Sequence, residues 1–139
     1  TAQFHSPENS PICSLSWVVV GDPESLVLLT SKGHLRRVSA HGVVLGSLDL
    51  SKETVGLVRY RSSYLFVAFE DTQIKAFKCG GFGSGFCPLT FIKPPENEEK
   101  IFEGLITSMA VYENREGDPK LFVGRDDGSI WIYQVVSGS

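Results

Sequence analysis

The chain has 139 residues, 42% hydrophobic and 21% charged, which suits one ordinary folded domain with a real core. Its formal net charge of −3 argues against a broad nucleic-acid footprint, because phosphate binding needs a basic surface. The longest apolar runs, such as Leu15–Val20 and Leu26–Leu29, are too short to cross a bilayer. No basic stretch followed by an apolar one opens the chain, so no secretory leader is expected; the chain begins at Thr1, as a processed or excised piece would.

Taken in chain order, the first strand is predicted at "ICSLSWV", Ile12–Val18. "SLVLLTSKGHLRRV" follows at Ser25–Val38: an apolar run, a polar turn at Lys32-Gly33, and a second apolar run. "GVVLGSLDL", Gly42–Leu50, reads as a fourth strand. The same order then recurs. "VGLVRY" (Val55–Tyr60) precedes "YLFVAFEDTQIKAF" (Tyr64–Phe77), which turns at Asp71-Thr72, and "CPLTFI" (Cys87–Ile92) follows as a fourth strand. "ITSMAVY" (Ile106–Tyr112) precedes "KLFVGRDDGSIWIY" (Lys120–Tyr133), which turns at Asp127-Gly128 and leaves no room for a clear fourth strand. Leu26, Leu65 and Leu121 open the three hairpins without a gap in the alignment. Asp-Gly between apolar runs is a strong hairpin signal, since the turn requires positive φ and these residues tolerate it. Ile130 and Ile132 alternate with Trp131 and Tyr133, so this strand is expected to be covered on both sides.

Four short strands per unit, repeated every few tens of residues, with no helical periodicity, is the signature of a β-propeller. "LFVGRDDGSIWIYQV" resembles the end of a WD40 repeat, with Tyr133-Gln134 standing where that family has Trp-Asp. No repeat has a clear Gly-His pair leading into its first strand, so the family's usual side-chain network is incomplete. The resemblance spans Ile12–Val136. It implies an all-β chain of about three four-stranded antiparallel blades, with repeats near 12–50, 55–92 and 106–136 in a single segment 1–139. Three blades do not close a ring. The remaining blades must come from a longer propeller, from other copies, or from other chains. "TAQFH", Thr1–His5, can serve as the outer strand of a neighbouring blade.

For sites, the glycine-rich "CGGFGSGFC" (Cys79–Cys87) runs into Pro88 and a strand instead of a helix, so it reads as a hairpin loop and not a phosphate cradle. Phe82 and Phe86, if exposed at its tip, are partner anchors. Arg36, Arg59 and Arg61 supply local positive charge. "HLRRVSAH" places Ser39 in an Arg-Arg-x-Ser context that resembles a basophilic kinase site. "KPPENEEK" (Lys93–Lys100) reads as a solvated connector. His5, His34 and His41 have no partners at metal-ligand spacing, so no metal and no cofactor are expected. Cys13, Cys79 and Cys87 are read as reduced, with a Cys79–Cys87 bridge as the alternative in an oxidising compartment. No nucleophile–base set appears in any known motif. The expectation is a non-catalytic, intracellular protein–protein interaction scaffold whose partners are other proteins or the missing blades, with self-association open to it and neither a membrane span nor nucleic acid favoured. The alternative is a secreted propeller that binds a glycan or other small ligand.

Overall fold

A computed structural model describes residues 3–19, 24–61, 63–79, 86–89, 92–93, 104–113 and 119–135. They form three four-stranded antiparallel sheets. The first sheet orders β1 (Ile12–Val18), β2 (Ser25–Thr30), β3 (His34–Val38) and β4 (Val44–Asp49) as a simple meander. The second does the same with β5 (Thr54–Tyr60), β6 (Tyr64–Phe69), β7 (Ile74–Cys79) and β8 (Phe86–Leu89). The third joins β10 (Ile106–Tyr112), β11 (Lys120–Arg125) and β12 (Ile130–Val135) to β9 (Ile92–Lys93), a strand that precedes the others in the chain.

Two expectations change here. The predicted fourth strand Cys87–Ile92 is divided: Phe86–Leu89 completes the second sheet, while Ile92 pairs with Val135 of the third. The third sheet thus gains its outer strand from upstream, for two residues. The amino-terminal stretch differs too: residues 3–5 form no strand.

The repetition extends to backbone detail. Each first strand breaks register at the same place, between Ile12 and Ser14, Thr54 and Gly56, and Ile106 and Ser108, as a β-bulge does. Each central turn carries a left-handed residue at the equivalent position: Gly33 (φ +87°), Thr72 (φ +72°) and Gly128 (φ +86°). Each of these residues donates its N–H to the residue three before it, Thr30, Phe69 and Arg125, at 3.0–3.1 Å. In the first repeat the residues after the outer strand pack on this turn. There the Gly33 carbonyl accepts from the Leu50 N–H at 2.8 Å, and a Cβ on Gly33 would overlap the Lys52 carbonyl oxygen.

Strand alternation sends successive side chains to opposite faces. The forward face of each sheet is the one turned toward the next sheet in sequence; the rear face is turned toward the preceding one. Val27, Leu29 and Leu35 on the forward face of the first sheet pack on Leu65, Val67 and Phe69 on the rear of the second. Phe66, Ala68 and Tyr60 on the forward face of the second pack on Leu121, Val123 and Tyr133 on the rear of the third. The second sheet is therefore covered on both faces, and β6 is buried from Leu65 to Phe69.

The end sheets differ. Trp131 lies on the covered rear face but is only half-buried, with the Arg125 guanidinium 5.4 Å from its ring. On the other face of the same strand Ile130 is 67% exposed and Ile132 47%. The expected two-sided cover of this strand does not hold, because among the described residues no further sheet lies beyond the third.

Candidate interaction surfaces

The residues singled out in the sequence separate on folding. Phe86 is buried in the core between the first two sheets, so it is a packing residue and not a surface anchor. It lies opposite Cys79 in the β7–β8 ladder, which turns it to the same covered face. Phe82 and the connector at 94–100 lie outside the described residues. Arg36 donates from Nη1 to Asp49 Oδ1 at 2.9 Å and to the Leu35 carbonyl at 2.9 Å. His34 Nδ1 lies 3.1 Å from the same Asp49 oxygen. The Arg36 hydrogen bond holds the Asp49 carboxyl below its ordinary value. Arg59 is exposed and donates to the Trp17 carbonyl at 3.3 Å. Arg61, just past β5 with φ +56°, stacks 5.0 Å from the Tyr60 ring, and its N–H donates to Glu113 Oε1 at 2.9 Å. The three arginines share no partner: one is tied within the first sheet, one reaches from the second sheet to the first, and one from the second to the third.

Ser39 sits in the β3–β4 turn. Its Oγ accepts from the N–H groups of His41 and Val43, both at 3.2 Å, while its own N–H donates to the Val43 carbonyl at 2.8 Å. The hydroxyl is built into the turn. Cys79 is a free thiol in the core, and burial pushes its pKa up to about 11. Cys13 Sγ faces the Leu29 carbonyl at 3.4 Å, and desolvation raises its pKa as well. Neither thiol is activated as a nucleophile.

Two surface features remain: the first left only a faint trace in the sequence, and the second is what an unclosed stack of three sheets leads one to expect. The first is a cleft of about 260 Å³ where the first strands converge. β5 packs between β1 and β10, and the three repeated bulges face one another there. The Ser14 hydroxyl locks two of these strands, donating to the Leu57 carbonyl and accepting from the Leu57 N–H, both at 3.2 Å. The cleft is lined by Cys13, Ser14, Gly56, Thr107, Ser108 and Met109, with apolar residues behind them. Hydroxyls, a protonated thiol and backbone give neutral hydrogen bonding; the lining carries no ionisable pair that could drive acid–base chemistry. The shared Ile-x-Ser of Ile12–Ser14 and Ile106–Ser108 was its trace in the sequence.

The second feature is the pair of open flanks. The rear face of the first sheet exposes Leu15 (58%) and Trp17 (52%) beside the buried Leu28 and Val38. The forward face of the third exposes Ile130, Ile132 and Tyr112 around the half-buried Phe122. Exposed apolar groups clustered on a sheet face, and not scattered singly, mark interaction surfaces.

A scan against protein-family models finds no match for this chain, and a search of curated proteins finds none either.

Proposed function

We propose that this chain is a non-catalytic protein–protein interaction scaffold, a WD40-like β-propeller segment working in an intracellular assembly. One observation carries the reading: three consecutive sheets repeat the same bulge and the same left-handed turn while their first strands lie side by side. A stack of this kind offers rigid faces, edges and loops for partners. The exposed Arg59 and Arg61, on the segment where β5 meets its neighbours, are the proposed polar contacts. Phosphorylation of Ser39 would add negative charge at the β3–β4 turn and displace the two N–H groups its hydroxyl now holds.

The convergent cleft favours a second reading, a propeller that takes a small neutral ligand such as a glycan. The two are separable. Affinity capture with the full chain, followed by reconstitution with the purified captured protein, should yield a stoichiometric complex. Arg59→Glu or Arg61→Glu should weaken it about tenfold or more, equivalent to ~1.4 kcal/mol. A chain that captures no protein but binds a glycan, and loses it on Gly56→Ala, supports the second reading instead. That methyl would enter the cleft with its nearest contact, Ser14 Oγ, at an unstrained 3.9 Å.

A further inference from the structure

The repeat makes the two open flanks comparable, position by position, with the two covered interfaces inside the stack. On forward faces, Tyr60 and Phe66 of the second sheet correspond to Tyr112 and Phe122 of the third. The residues are identical. Phe66 is fully buried under the third sheet, whereas Phe122 is half-buried with nothing from the described chain stacked beyond it. On rear faces, Leu15 and Leu26 of the first sheet correspond to Leu57 and Leu65 of the second, again the same residue at each position. Leu57 and Leu65 are among the groups that cover the first sheet. The chain therefore carries both halves of a contact like the one between its second and third sheets: Tyr112 and Phe122 on one flank, and on the other Leu26 and Leu28, which stand where the third sheet has Leu121 and Val123 against Tyr60 and Phe66.

We infer that a second copy of this chain docks head to tail, the forward face of the third sheet of one copy against the rear face of the first sheet of the other. The occupant is specified by continuity: the docked copy would repeat the packing of the third sheet on the second. The contact is heterologous, since the two flanks are different surfaces. It closes if the rotation per sheet allows. The described sheets of two copies would then number six, within the roughly four to eight blades of known propellers. The polar groups that flank the contact are Lys120 on the forward side and the Arg36–Asp49 pair on the rear side. The inference goes beyond the proposed scaffold role. It rests on the repeated interfaces and holds or fails independently of which partner the scaffold serves.

Two variants of exposed positions test it. Leu15→Glu blocks the rear flank and leaves the forward one open; Ile132→Glu does the reverse. The wild-type chain should self-associate in analytical ultracentrifugation. Each variant alone should run at monomer mass, because each retains only one half of the contact. An equimolar mixture of the two should recover a 1:1 complex at twice the monomer mass, with a blue shift of Trp17 emission as that ring is covered. Dimerisation of either variant alone would show an isologous contact and overturn the inference. So would a mixture that stays monomeric up to about 100 µM, well above the dissociation constant of a weak specific contact. Far-ultraviolet circular dichroism confirms that each variant keeps its sheets. Ile130→Glu, at the still more exposed neighbouring position, replaces Ile132→Glu should the latter unfold.

Discussion

The three central turns offer an internal experiment on backbone strain. A left-handed conformation costs a side-chain-bearing residue about 1–2 kcal/mol, and a β-branched residue there is a genuine outlier. Two of the turns use glycine and one uses Thr72, at φ +72°. Replacing Thr72 by glycine keeps the turn hydrogen bond, which runs from the residue's own N–H to the Phe69 carbonyl at 3.1 Å. The substitution relieves the strain but loosens the unfolded chain by ~0.4–1 kcal/mol, so the expected net gain is about 1 kcal/mol. The reverse change at Gly128, where a Cβ meets nothing within 4 Å, should cost about 1 kcal/mol through strain alone. Gly33→Ala should cost about 3 kcal/mol or more, because strain is joined by overlap with the Lys52 carbonyl. Urea denaturation reads all three. With a slope of about 2 kcal/mol per molar, Thr72→Gly should raise the midpoint by about half a molar. A midpoint that is unchanged or lowered by Thr72→Gly would refute the assignment of strain to that residue. So would equal costs for alanine at Gly33 and Gly128, which would mean that the two sites do not differ as the turn packing requires.

Phe66→Ala should cost about 3–5 kcal/mol, since it empties a fully covered site, while Phe122→Ala at the equivalent half-covered position should cost no more than about half of that; the two denaturation curves decide. Alkylation at mildly alkaline pH, mapped by peptide mass spectrometry, should modify Cys13 before Cys79, whose burial and raised pKa leave almost no thiolate; early labelling of Cys79 in the folded chain would contradict its placement. The Asp49 carboxyl is depressed by the Arg36 hydrogen bond, so its contribution is present above the ordinary 3.8 of an aspartate and disappears as pH falls through the lower folded value. Asp49→Asn should therefore lower the denaturation midpoint near neutral pH, and the gap to the wild type should shrink as the pH falls below 3.8 and the Asp49 carboxyl takes up its proton; a gap that does not shrink in acid would assign the effect to packing.

How far the sequence can be read depends on the range of the forces involved. Hairpin positions were legible because their causes are local: apolar runs at Leu26, Leu65 and Leu121, and turn residues at Gly33, Thr72 and Gly128 whose conformation depends on immediate neighbours. The all-β class and the threefold recurrence follow from the same local signals. The β-bulges were not legible, because a bulge is a relation between two strands and leaves no single residue that demands it. The division of the predicted strand Cys87–Ile92 was hidden for a similar reason: whether Ile92 adds to the second or the third sheet depends on which edge is within reach. Burial was the other tertiary decision. Phe86 and Phe122 are the same residue in comparable apolar strands, yet one is sealed between two sheets and the other lies on an end face. Ile130–Tyr133 read as a strand to be covered twice, and was covered once, because two-sided burial requires a neighbour on each side and this sheet is the last of the described stack. The apolar pattern alone determined that such a strand should seek cover on both faces; only the stacking of whole sheets decided which faces obtained it.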